Sequence, residues 1–182
     1  MAGILSFSHK IMPSNLAKHL SLYRMKGKIM DLEAITAGEL IYEADIKFTG
    51  MVEFGVSMEA LSSGEAPLPL EGARFDQTFL GELHGPKLRG KISGTDHLYV
   101  RADGLFQLHL HALVTTEDGA NIAFSSEGVS LQIEGEREAQ LRAAVSLFTS
   151  YEAYAWLNKL QLWVLGSLDP VEGKAFVRAF AV

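Results

Sequence analysis

The sequence predicts an all-β fold with minor α content: a single antiparallel β-barrel of about eight to ten strands, with one or two short helices. Three observations carry this reading. Runs of apolar/polar alternation recur from Leu40 to the end of the chain, Asp-Gly pairs punctuate them, and few segments have helical periodicity. Closure into a barrel is favoured because it removes sheet edges, and none of the predicted strands carries edge protection.

Residues 1–38 read as a basic arm with a short helix. Ser14 or Asn15 supplies an N-cap, Leu16, Leu20 and Tyr23 line one face, and Gly27 follows the end. Residues 39–182 form the barrel domain. Its first strand alternates Leu40, Tyr42, Ala44, Ile46 and Phe48 with Ile41, Glu43, Asp45 and Lys47, and Met51 to Met58 adds another. Ala60 to Glu71, rich in Ser, Gly and Pro, is a surface loop. Arg74 to Leu83 is extended, and Gly85-Pro86, Gly90 and Gly94 bend the chain into the next strand.

The most informative stretch follows. Leu98 to Arg101 turns at Asp103-Gly104 into Gln107 to Thr115, where Phe106, Leu108, Leu110, Ala112 and Val114 form one apolar face. The other face holds Gln107, His109, His111, Leu113 and Thr115. Glu117-Asp118-Gly119 reverses the chain into Ala120 to Ser125, and Val129 to Glu134 is a further strand. Glu136 to Leu147, with Ala139, Leu141, Ala143, Ala144 and Leu147, reads as a helix. Phe148 to Asn158 is aromatic-rich. Leu157 to Leu165 and Lys174 to Val182 are the last strands, joined by a turn from Asp169-Pro170 to Gly173.

Composition narrows the chemistry. The chain has 182 residues and no cysteine, which excludes a disulfide scaffold, a zinc–cysteine site and a thiol nucleophile. Residues 1–30 hold five basic side chains and no acidic one, so the net charge of −6 conceals a strongly acidic body. Such a body disfavours nucleic acid as a partner. There is no membrane span and no secretory leader, so the cytoplasm is the expected location.

Candidate chemistry centres on Asp96, His109 and His111. The two histidines share a strand face in a His-x-His pair that resembles a metal-binding arrangement, with His84, His97 or Asp96 as a third ligand. Glu117 falls in the turn, off the spacing a cupin-like motif needs, and no metal or other cofactor is assigned. The alternative is cofactor-free proton transfer, in which Asp96 orients a histidine or raises its pKa. Arg74, His97 and Tyr99 are placed as ligand-binding groups, Arg74 or Tyr99 stabilising an oxyanion. Tyr154, Trp156 and Asn158 alternate, so an extended segment would set them on one face as a pocket rim. Against these stands a structural reading: Asp96 caps a turn, the histidines satisfy one another or water, and Asn158 ties down a neighbouring backbone.

Gly81, Gly85-Pro86 with Leu88 and Gly90, Gly94 with Asp96, Asp103-Gly104, Asp118-Gly119 with Ile122, Gly128, and Phe148 with Tyr154, Trp156, Leu157 and Asn158 occur in an order and spacing similar to one family. Over residues 40–182 the chain resembles domain-of-unknown-function family 3237, uncharacterised small antiparallel β-barrels. The resemblance implies a barrel similar to allene oxide cyclase-like and calycin-type small-molecule barrels. His97 stands where the family usually has tryptophan, His111 where it has arginine, and Thr149 where it has glutamate. The functional expectation is a barrel binding a small apolar or aromatic molecule, as an isomerase, cyclase or lyase. The alternative is a non-catalytic carrier or assembly module, and a homodimer is expected in either case.

Overall fold

A computed structural model describes residues 38–133 and 135–181. The basic arm and its helix lie outside the described residues. The strands are β1 (Glu39–Glu53), β2 (Ala73–His84), β3 (Gly90–Val100), β4 (Phe106–Thr116), β5 (Asn121–Gln132), β6 (Ala139–Phe148), β7 (Gln161–Asp169) and β8 (Lys174–Ala181). Each pairs antiparallel with the next, and β8 returns to β1 from Glu39↔Ala181 to Lys47↔Lys174, so the eight-stranded sheet closes. Even numbering of the inward residues on β4 and β5 and odd numbering on β2 and β6 follow from the pleat and the registers Ile92↔Val114 and Phe124↔Leu147.

Two irregularities lie in β1. Register shifts at Leu40/Tyr42 and Phe48/Gly50 coil the strand, and at the first both Ile41 and Tyr42 become fully buried. The predicted separate strand from Met51 is the continuation of β1 beyond the second shift. Gly94 faces inward where a Cβ would lie 2.3 Å from the His111 carbonyl oxygen, so β3 and β4 approach too closely for a side chain there.

Three local expectations change. The predicted helix over Glu136–Leu147 is strand β6, because Ala139, Leu141, Ala143, Val145 and Leu147 have period two and face inward between β5 and β7; pairing overrides alanine's helical preference. The tail segment is a 3-10 helix, Glu152–Lys159, with Tyr154 N–H donating to the Tyr151 carbonyl and Leu160 N–H to that of Leu157. The predicted loop contains helix α1 (Met58–Ser63), capped by Ser57 Oγ on the Ala60 N–H and ended by left-handed Gly64.

The two barrel ends differ. At the 3-10 end, Leu83, Leu88, Val114, Ile122, Leu147 and Leu157 pack into one buried cluster. At the α1 end, Val56, Met58, Leu61 and Leu68 of the β1–β2 connection cover Phe75, Leu98 and Val100, on the β2–β3 side. Inward residues of β4 record the difference: Val114 and Thr116 are buried, whereas Phe106, Leu108, Leu110 and Ala112 are only half-buried. A side chain inside a closed sheet reaches solvent through an end, so the interior is sealed at the 3-10 end and more accessible at the α1 end, beside β4.

Candidate functional site

Asp96 sits midway along β3 and points into this interior, 3% exposed. Its Oδ1 accepts the backbone N–H of His109 at 2.9 Å. The β3–β4 register is the same on both sides of this bond, Asp96↔Leu110 and Tyr99↔Gln107, but the intervening ladder pairs are missing. The carboxylate therefore replaces a strand carbonyl as acceptor, and an aspartate can occupy an inner strand without leaving that N–H orphaned. No buried side-chain polar atom among the described residues lacks a partner, and none of those residues engages Oδ2, so that oxygen keeps contact with solvent-sized space on the inner side of the sheet. Burial raises the Asp96 pKa to about 6, against the lowering effects of the His109 N–H and of the His97 and His109 charges.

Around Asp96 the inner wall is mostly apolar, with three other polar groups. Gln77 is its partner on β2, and the row continues from Asp96 through Leu110 to Ser126 on β5. Ser130, four residues nearer the α1 end, pairs with Phe106 and Leu141. Ser126 and Ser130 are 5% and 7% exposed. These three were not singled out from the sequence, although Gln77 lies on the face of Phe75 and Phe79, and both serines on that of Ile122 and Phe124.

The other expected groups lie elsewhere. His97, His109 and His111 project outward: His109 Nε2 is 3.0 Å from His111 Nε2, and the His97 ring centre is 6.3 and 6.1 Å from theirs. His97 Nδ1 meets Asp76 at 3.0 Å, and Glu127 lies 3.9 Å from His109 Nδ1. Arg74 joins this outer row through Asp76 at 3.1 Å and stacks on Phe54. Burial acts to raise the Asp76 pKa, but hydrogen bonds and charges from Arg74 and His97 outweigh it and hold the carboxyl below its ordinary range. The expectation that Asp96 and the histidines share one site is corrected here, since their parities place them on opposite faces of the sheet. No three His, Asp or Glu side chains converge on one point among the described residues, so the three-ligand arrangement is not assembled.

Tyr99 faces outward and its hydroxyl donates to the Glu71 carbonyl, tethering the β1–β2 connection. Tyr154, Trp156 and Asn158 stand at the plugged end, on a helix rather than an extended rim. Tyr154 donates to Asp118 Oδ1 at 2.9 Å, and Asn158 brackets the Thr149 backbone with two 2.8 Å bonds. A groove of about 650 Å³ on the outer wall around Gly81, lined by Leu80, His84 and Lys91, contains His84 of the proposed third-ligand set but neither His109 nor His111 nor Asp96.

Fold and interior together define a small closed barrel with a buried, inward-facing acid. Residues 46–177 match the family described as Protein of unknown function (DUF3237), and the chain belongs to that family. A protein of unknown function from Clostridium acetobutylicum has a similar structure, with TM-score 0.65 and 19% identity over 79% of this chain and 97% of that one. A beta-barrel like protein from Acinetobacter baumannii superposes with TM-score 0.62 and 19% identity, covering 79% and 94% of the two chains. The hydroalkoxylation enzyme phnH of Penicillium herquei is 36% identical over 84 residues, which is 46% of this chain and spans only half of that enzyme's length. No helix among the described residues is long and apolar enough to cross a membrane.

Proposed function

We propose that this chain is a cytoplasmic, cofactor-independent enzyme that adds an O–H group across a carbon–carbon double bond of a small apolar or aromatic molecule inside the barrel. The observation that carries the reading is the Asp96 carboxyl, inward, desolvated and with one oxygen unbonded by any described residue. Likeness to a hydroalkoxylation enzyme supports the reaction class.

In this mechanism protonated Asp96 gives its proton to one alkene carbon, and the substrate's own hydroxyl oxygen bonds to the other as positive charge develops there. The hydroxyl proton returns to the Asp96 carboxylate. Atoms balance and the product is an isomer of the substrate, so no cofactor is consumed. The His109 N–H steadies the carboxylate left after proton transfer, and the apolar wall of Leu108 and Leu110 keeps water from the cation. A proton donor with pKa about 6 is half ionised at that pH and still partly protonated at neutrality, which suits it to both halves of the cycle.

The test is 2-prenylphenol, whose alkene gives a tertiary cation, incubated with the full chain and followed by chromatography for the isomeric dimethylchroman. Acceleration that disappears in Asp96→Asn is expected. Equal rates with wild type and variant would overturn the mechanism, and ligand binding with no turnover of prenylated phenols would make the barrel a carrier.

A further inference from the structure

We infer that β5 carries a second polar anchor for the ligand, formed by Ser126 and Ser130, so that the substrate is an elongated apolar molecule with oxygen functions at both ends. This rests on the reading of the interior as a ligand site and deepens it.

The inward side chains of β5 between Phe124 and the α1 end are Ser126, Gly128 and Ser130. Ser126 lies level with Asp96, two strands away, which is roughly 10 Å along the sheet. Ser130 lies four residues nearer the α1 end, roughly 13 Å along the strand. Between them Gly128 presents no side chain, and a Cβ there would fall 2.3 Å from the Arg142 carbonyl oxygen and 2.5 Å from Ala143 Cβ. The result is a shallow polar strip, flanked by Leu108 and Leu110 on β4 and by Leu141 and Ala143 on β6.

Both serine residues are more than nine-tenths buried and neither hydroxyl has a hydrogen-bond partner among the described residues; since no fully buried side-chain polar atom there is unpartnered, each hydroxyl keeps contact with solvent-sized space. A hydroxyl held largely out of water with no protein partner is poorly satisfied, and serine is a poor strand former where a valine would pack. Two of them in a row on an inner wall are accounted for by a ligand that supplies the partners. A flat frame lying along the strip places one oxygen at Asp96 and the other against Ser126 or Ser130, the short side of Gly128 admitting its edge. The strip also discriminates: a molecule oxygenated only at the reacting end leaves both hydroxyls unpartnered, which selects against it.

Isothermal titration of the full chain with 4-phenylphenol and biphenyl-4,4′-diol, which share a rigid frame and differ by one remote hydroxyl, tests the inference. Wild type is expected to bind the diol at least tenfold more tightly. In the double variant Ser126→Ala with Ser130→Ala the preference falls below twofold, while 4-phenylphenol binds as before. A preference that survives both substitutions, or a wild type that binds the two probes equally or not at all, overturns the anchor. Asp96→Asn separates the two proposals: loss of 2-prenylphenol turnover with the diol preference intact supports both, whereas unchanged turnover defeats the catalytic reading and leaves the anchor standing.

Discussion

The two faces of the β3–β4 pair carry the same kinds of polar residue in opposite circumstances. Inside, Asp96 has one backbone N–H, a partner glutamine and an apolar wall, and burial drives its proton affinity up. Outside, His97, His109 and His111 stand among Asp76, Glu127 and Arg74 in a solvated, mutually bonded row; the His109 side chain is 50% exposed. An ionisable group gains unusual chemistry from being desolvated more than from being close to other ionisable groups. The lone inner carboxyl is therefore the reactive candidate, and the richer outer cluster is a surface network.

The sharpest way to break this comparison is to exchange reactivity between faces. Asp96→Asn is expected to lower turnover of 2-prenylphenol by about 10³-fold, in the range general acid catalysis supplies, with His109→Gln and His111→Gln within threefold of wild type in the same assay. Histidine variants as inactive as Asp96→Asn would return the site to the outer face.

A pH profile sharpens the same point. The acid must be protonated to start the cycle, so the logarithm of kcat/KM is expected to be flat below about pH 6 and to fall by one per unit above it. A profile rising through that range would make Asp96 a base instead.

Stability gives a third reading of the inner carboxyl. Its folded pKa lies above the unfolded value near 4, so the folded state holds the proton more tightly. Stability from this group is full below the unfolded pKa and is lost as pH rises through about 6. The loss is on the order of 2–3 kcal/mol once Asp96 is ionised. Urea denaturation should accordingly show Asp96→Asn more stable than wild type at pH 8 and indistinguishable at pH 4. The smallest expected effect lies at the plugged end, where Asn158→Ala removes both bonds to the Thr149 backbone and costs about 1–2 kcal/mol. Because that end lies opposite the more accessible α1 end, KM for 2-prenylphenol should not move; a change there would reinstate Asn158 as a ligand contact.

Much of this was legible before any coordinates. Alternation in β1, β2 and β4 and the turns at Asp103-Gly104 and Asp118-Gly119 specify short antiparallel strands, because side-chain period and turn geometry are local properties. The alternation from Phe106 to Thr115 separated the two faces of β4, but which of them lines the barrel, and hence that His109 and His111 face out, only the closed sheet decided. Elements with mixed signals were not legible: alanine-rich β6 reads as a helix until β5 and β7 pair with it, and the tail aromatics look extended until 3-10 hydrogen bonds form.

The amino-acid sequence alone thus determined the fold class and the family, and singled out Asp96 as a candidate reactive residue, though as partner to a histidine rather than as the acid itself. Tertiary structure decided which side of the wall each polar group occupies relative to its neighbours on other strands. It also decided that the α1 end is the more accessible one and that Gln77, Ser126 and Ser130 join Asp96 inside. The physical reason is that alternation orders residues within a strand, whereas register and closure, which set depth, solvent access and cross-strand partners, arise only when all eight strands pair.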